Sequence, residues 1–305
     1  MSSPSATKLN VSRQLAKQNK EELEARTVDN ALKELRQRFQ SHSETAALDA
    51  RVLLAEVTGK STSWLSTHPE DPLTNKQREE LERFAQRLEA GEPLPYITGH
   101  WEFFGLDFIV SPAVLIPRPE TELLIEHAIA WLSANPSKRF AVDVGTGSGI
   151  IAVCLASRVH DLYLTAIDVS SQALTIARLN AASHGVDNRI TFIEADLLEG
   201  IEATFDLICA NLPYIPTGTL KELDVYKHEP SLALDGGPDG MGIIRRLLEQ
   251  SVEKLAPGGL LLLEIESSLG EQALELARNA FPEAEINLRK DYAGRDRLIS
   301  ISCGK

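Results

Sequence analysis

The stretch FAVDVGTGSGIIAVCLASRV, residues 140–159, sets an apolar β-rich run, a glycine-rich turn and an apolar helical run in direct succession. Phe140 to Val144 reads as a strand and Ile150 to Val159 as a helix. Between them lie Asp143, Val144, Gly145, Thr146, Gly147, Ser148 and Gly149, with glycine at alternate positions. Such a turn bends sharply and admits a ligand to the backbone without Cβ interference, which implies a nucleotide-like ligand. The dinucleotide fingerprint needs a further glycine three positions after Gly147, and Ile150 stands there, which disfavours a nicotinamide cofactor.

Outward from this unit toward the C-terminus, β-rich segments recur at Tyr163 to Ile167, Ile190 to Ile193, Phe205 to Ala210, Leu260 to Ile265, Ala284 to Leu288 and Leu298 to Ser302. Helical patterns such as Gln172 to Ser183 and Gly242 to Leu255 separate most of the earlier ones. Alternation of this kind requires parallel strands joined by crossover helices, and predicts a doubly wound α/β sheet of seven strands. The last two segments are joined only by Asp291 to Asp296, too short for a crossover helix, so they should pair antiparallel.

Toward the N-terminus, residues 92–118 turn rich in Pro, Gly and aromatics. Two short apolar segments there, Trp101 to Phe104 and Phe108 to Val110, flank Gly105 and Leu106 and read as a hairpin linker. Before it, residues 28–91 are helical in pattern. Val28, Leu32, Leu35 and Phe39 recur at three- and four-residue steps, as do Ala47, Ala50, Leu54 and Val57. Thr74 and Gln77 have the form of a capping box, Leu81, Phe84 and Leu88 supply the next stripe, and Gly91 is a stop signal. A small helical bundle follows. Residues 1–27 are expected to be a flexible extension, and their early part, rich in Ser, Lys and Gln without acids, has a trace of mitochondrial transit character.

The formal net charge of -13 disfavours non-specific binding of nucleic acid phosphates, although the first 40 residues carry eight Lys or Arg against five Asp or Glu. Cys154, Cys209 and Cys303 are scattered and lack metal or redox spacing, as expected of a reducing compartment. No apolar run spans a bilayer. A monomeric cytoplasmic protein is expected, or a mitochondrial one if residues 1–27 are a transit segment.

Three further sites fall at consecutive strand ends, where open α/β sheets bind ligands. Asp168 can accept the hydroxyl hydrogens of a ribose. Asp196 and Leu197 can hold an adenine. After the fourth strand stands Asn211, Leu212, Pro213, Tyr214. In isolation it is a turn; at this edge, the Asn side chain and the following carbonyl offer two acceptors for an NH2 group. Pro213 stiffens the loop and Tyr214 presents a flat surface to a planar amide or base.

With these residues the chain resembles the peptide chain release factor glutamine N5-methyltransferase family (HemK or PrmC type), a class I methyltransferase fold whose sheet ends in an antiparallel pair. The resemblance rests on Ile116, Pro117, Arg118, Pro119, Glu120, Thr121, Glu122, on the Asp143 to Gly149 turn, on the Asn211 to Tyr214 loop, and on Glu229, Pro230 with Ala233, Leu234, Asp235, Gly236, Gly237, Pro238, Asp239, Gly240. It implies S-adenosyl-L-methionine as donor, S-adenosyl-L-homocysteine as product, and the glutamine of a Gly-Gly-Gln loop in release factors as acceptor. Residues 28–91 would recognise that protein substrate, and residues 119–305 would form the methyltransferase domain. Gly145, Thr146, Gly147, Ser148, Gly149, Asp168, Asp196, Leu197 and Asn211 are the expected cofactor contacts, and Asn211, Leu212, Pro213 and Tyr214 the catalytic loop.

There are two departures. Leu212 replaces the first proline of the family's Asn-Pro-Pro-Tyr, though the gripping carbonyl belongs to the backbone. Glu266 stands where the family has glycine after Glu264, which raises a local shift of that strand end. Positioning would carry the catalysis, without metal, covalent intermediate or general base. Rival readings are methylation of another protein glutamine or of a nucleic acid adenine, a nicotinamide-dependent oxidoreductase, and a non-catalytic binding protein.

Overall fold

In the computed structural model, which describes residues 27–304, the chain forms two compact units, residues 27–98 and 99–304. The extension expected over residues 1–27 lies outside the described residues except for Thr27, whose side chain accepts from Asn30 N and caps the first helix.

The first unit is helical: α1 (Val28–Phe39), α2 (Ala46–Thr58), α3 (Thr62–Thr67), α4 (Asn75–Glu89) and α5 (Leu94–Thr98). Its core takes most of the apolar stripes read from sequence, with Leu35, Phe39, Ala50, Leu54, Leu81, Phe84 and Leu88 buried, but it also buries Leu53, outside those stripes, and leaves Ala47 exposed. The capping box at Thr74 and Gln77 forms with both reciprocal hydrogen bonds, which satisfies two otherwise orphaned donors of α4. Arg38 ties α1 to α4 by pairing with Glu82 and Glu89.

The second unit opens with a hairpin, β1 (His100–Phe103) and β2 (Leu106–Ile109). Its turn is Phe104 and Gly105, one residue earlier than the expected Gly105 and Leu106. Both central residues have positive φ, 53° and 73°, as a two-residue turn between twisted strands requires, and this lets Leu106 pair with Phe103.

After α6 (Thr121–Ala134) come β3 (Phe140–Val144), α7 (Ile150–Arg158), β4 (Tyr163–Asp168), α8 (Ser171–Ser183), β5 (Ile190–Glu194) and β6 (Phe205–Asn211). A short α9 (Thr217–Leu220) precedes α10 (Gly242–Lys254), β7 (Leu255–Glu264), α11 (Gly270–Ala280), β8 (Glu285–Lys290) and β9 (Asp296–Ser302). The seven strands lie in the order β5-β4-β3-β6-β7-β9-β8, parallel except for β9, which is antiparallel to both neighbours. This is the class I methyltransferase sheet expected from the ending of the chain. The strand β7 starts five residues before its expected beginning at Leu260, because Leu255 pairs with Phe205 ahead of an irregularity in register.

Side chains alternate across the sheet. Leu207 and Cys209 of β6, with Leu260 and Leu262 of β7, pack into the core shared with α6 and α7. Ile208 and Ala210, with Leu261 and Leu263, face the opposite core beside α10 and α11. This period of two on both faces is why these central strands read as nearly unbroken apolar runs. No helix of the described residues is long and apolar enough to cross a membrane.

Candidate active site

Because β3, β4, β5 and β6 run parallel, their C-terminal ends reach the same edge of the sheet. A cavity of about 500 Å³ opens there. Gly145, Gly147, Asp168, Asp196, Leu197, Leu212 and Pro213 line it, joined by Pro112 to Leu115, Pro230 to Ala233, and Ile243 and Arg246 of α10. Seven of the residues singled out from sequence therefore share one cavity. The other five do not line it, and each has a different position.

Thr146 and Ser148 are buried beneath the glycine-rich turn, and Thr146 Oγ1 donates to Asp143 at 2.6 Å. Asp143 is fully buried, and that burial pushes its carboxyl up to about 7. Gly149 caps α7 in the left-handed region, φ 83°. The turn is held to the next strand by Asp168, whose two carboxylate oxygens accept from Gly147 N and Ser170 N, each at 2.9 Å. Burial raises the Asp168 carboxyl despite these bonds. Each oxygen retains a further lone pair, so the residue can still accept from two ribose hydroxyls. Asp196 is paired at 2.8 Å with Arg246, a residue the sequence reading did not single out.

The loop after β6 meets the turn directly. Leu212 is buried, and a Cβ placed on Gly145 would stand 2.8 Å from Leu212 Cδ2, so only glycine permits this approach. Asn211 and Tyr214 flank Leu212 and Pro213 without lining the cavity. Tyr214 packs on the core beside α10, and burial holds its phenol up to about 12, so it stays protonated at neutral pH.

A second loop buttresses the first. Ile215 N donates to Leu234 O, Gly236 N to Ile215 O, and Thr217 N to Gly237 O, while Asp235 accepts from Thr217 Oγ1 at 2.6 Å. Gly236 lies so close that a Cβ there would come within 2.7 Å of Tyr214 Cα. The Ala233 to Gly240 segment, a mark of resemblance in the sequence, thus serves to hold the Asn211 to Tyr214 backbone in place.

Sequence reasoning also passed over the partners of Asn211. In the strand register Asn211 stands opposite Glu264, and its Nδ2 donates to Thr121 Oγ1 at 3.0 Å. Thr121 is fully buried and Glu264 is 1% exposed, with its Oε2 lacking a hydrogen-bond partner among the described residues. Burial raises the Glu264 carboxyl to about 7. Glu266 takes no part. It caps the short 3-10 segment Ser267–Leu269 and accepts from Ser267 and Ser268, so the strand end is not shifted and Glu264 keeps its place beside Asn211. Arg118 pairs with the buried Glu229, which also accepts from Ile116 N at 3.0 Å. That joins the two segments that wall the cavity at Pro112 to Leu115 and Pro230 to Ala233. The signal for these partners was the Ile116 to Glu122 motif and Glu229 itself, quoted as resemblance without roles.

The family comparisons agree with this geometry. Residues 30–99 match the PrmC N-terminal domain and residues 119–227 the methyltransferase small domain. The release factor glutamine methyltransferase of Moorella thermoacetica is 41% identical over 258 residues, covering 84% of this chain and 91% of that protein. That of Rhodopirellula baltica is 38% identical over 266 residues, covering 85% and 90%. The chain belongs to the release factor glutamine methyltransferase family. It is therefore a methyltransferase, and the α/β sheet is the catalytic scaffold of that family. Among solved structures, the hMettl16 catalytic domain in complex with MAT2A 3′UTR hairpin 6 matches 76% of this chain and 82% of its own at 15% identity with a TM-score of 0.50, a likeness of fold alone.

Proposed function

We propose that this enzyme transfers the methyl group of S-adenosyl-L-methionine to the side-chain amide nitrogen of the glutamine in the Gly-Gly-Gln loop of peptide chain release factors. The names of the relatives support the substrate. The observation that carries the chemistry is the state of Asn211: its Nδ2 is occupied by Thr121, which leaves Oδ1 to accept from an incoming NH2 group.

The cavity suits the donor. Gly145 and Gly147 allow close approach of the methionine portion, Asp168 has lone pairs for the ribose, and Ala195, Leu197 and Ile243 give apolar walls for a purine beside Asp196. When bound, the donor supplies an electrophilic methyl group on a sulfonium. An amide nitrogen is a weak nucleophile because its lone pair is delocalised into the carbonyl, so the protein must contribute orientation. Asn211 Oδ1 and the Leu212 carbonyl would accept the two amide hydrogens and turn the nitrogen toward the methyl group. Tyr214, protonated and flat, would cover the amide plane. The proton leaves to water after transfer.

Single-turnover methylation with donor saturating tests this. Asn211→Ala should lower the rate by roughly 10² to 10³, as for loss of one preorganised hydrogen-bonding group, with little change in donor affinity. A target glutamine replaced by glutamate should not be methylated, because two acceptors would then face a carboxylate without a shared hydrogen. Near-parental transfer by Asn211→Ala would remove the loop from the mechanism.

A further inference from the structure

Ala195, Leu197 and Ile243 give the cavity its apolar walls at the end beside Asp196, yet among the described residues no aromatic ring lines it. A purine is flat, and its faces are electron-rich. The cavity does hold one planar, delocalised cation. Arg246 reaches it from α10, three residues after Ile243 and therefore on the same face of that helix.

The fold fixes this guanidinium in place. Its Nη2 donates to Asp196 Oδ2 at 2.8 Å, and one turn further along α10 the Gln250 side chain accepts from Leu198 N at 2.7 Å. Two side chains of one helix thus grip the chain on either side of Leu197. That residue lines the cavity with φ 56°, a backbone region that leucine rarely enters, and strain of this kind persists where the surroundings impose it. The ion pair itself is open to solvent, with side chains 47% exposed at Arg246 and 49% at Asp196. Pairs so exposed add little to stability, so stability is a weak reason for an arginine here, and the guanidinium keeps surface that a ligand can cover.

We propose that Arg246 is a donor-binding residue whose guanidinium lies against a face of the adenine, held in that plane by Asp196. This rests on the reading of the cavity as the site of S-adenosyl-L-methionine. Arg246 then serves the base as an aromatic side chain would, since a guanidinium stacks on a ring by dispersion and by attraction to its negative face. Asp196 Oδ1 has no partner among the described residues and can accept from the 6-amino group. The pair divides the work: the carboxylate reads the edge of the base and the guanidinium covers its face. Gln250 ties the segment through the backbone, independently of Arg246.

Titration calorimetry on the full chain tests this with two probes, S-adenosyl-L-homocysteine and its analogue in which hydrogen replaces the 6-amino group of the purine. Arg246→Ala should weaken both by about tenfold, because stacking acts on the ring and not on the amino group. Arg246→Lys keeps a cation beside Asp196 without the plane, and should still bind both probes about fivefold more weakly than the parent. Melting temperatures should stay near the parental value, and Arg246→Lys carries the decision if Arg246→Ala does not fold. Affinity within about twofold of parental in either variant would overturn the proposal. A loss confined to S-adenosyl-L-homocysteine would overturn it too, leaving Arg246 only the task of aiming Asp196 at the amino group. If the parent chain binds neither probe, the reading of the cavity as the donor site fails instead.

Discussion

Asp168 shows how much one residue at a strand end must do. The sequence marks it as a candidate ribose acceptor because it ends the second strand at the edge where open α/β sheets bind ligands, although an acid before Val169 and Ser170 can also form a turn or cap. The structure shows two further duties at once: the carboxylate accepts from Ser170 N, the turn role open to it in the sequence, and from Gly147 N, a long-range bond no local pattern announced, and thereby sets the glycine-rich turn against α8. Asp168→Ala removes both the proposed ribose contacts and the turn's anchor. Charge-assisted bonds of this type contribute on the order of 1.5 to 3 kcal/mol, so donor affinity should fall by about tenfold to a hundredfold. Calorimetry with S-adenosyl-L-homocysteine checks this, and unchanged affinity would place the ribose elsewhere. Thr146 and Ser148 mark the limit at this scale. They sit in a ligand-binding turn by sequence, yet their side chains are buried, and nothing in a glycine-rich motif says which of its spacers point inward.

Among elements, the seven strands of the sheet and the helices at Ile150, Ser171 and Gly242 were legible because two-fold and 3.6-fold apolar periods differ plainly there, whereas the start of β7 was missed by five residues and α6 and α11 were not read. Pairings between loops were not legible, since the partners are over a hundred residues apart. Glu229 meets Arg118 and Ile116 N across such a gap, and through them the segments at Pro112 to Leu115 and Pro230 to Ala233 are tied together over the cavity. No local pattern encodes that. Glu229→Ala leaves Ile116 N and the guanidinium without their acceptor and should loosen both walls. Stability should drop by about 1 to 3 kcal/mol, the cost of an unsatisfied buried donor, and donor affinity should weaken in parallel. Chemical denaturation and titration calorimetry read the two effects separately. A variant with parental stability would show that the tie adds nothing to the folded state.

At the scale of the whole molecule, each of the two units has its own core, and the cavity is lined entirely by residues of the second. The helical unit contains no part of the site described above. We propose that it recognises the release factor, because docking a folded protein needs an interface of roughly 800 Å² per partner, more than a cavity mouth offers. A chain beginning at Gly99, with the β1 and β2 hairpin intact, should bind S-adenosyl-L-homocysteine with near-parental affinity but methylate whole release factor poorly. Full activity on the whole protein would assign the helical unit another role. The helical stripes of residues 28–91 pointed to a separate bundle, but the first unit extends to Thr98, because α5 (Leu94–Thr98), placed in the linker by the sequence reading, packs Ile97 and Leu94 into its core. The purpose of the division was not legible, because a recognition surface has no residue pattern of its own.

The contact between Leu212 and Gly145 bears on how such an enzyme can change over generations. The glycine-rich turn and the Asn211 to Tyr214 loop touch through one methyl group and one missing Cβ, so what position 145 can accept depends on the residue at 212. With leucine at 212, any side chain at 145 is refused twice, by the left-handed backbone at φ 74° and by Cδ2 itself. A smaller residue at 212 lifts the second refusal and leaves only the first, a backbone penalty of about 1 to 2 kcal/mol. Substitutions at the two sites are therefore epistatic. A lineage has to make room at 212 before it can alter the glycine-rich turn at 145.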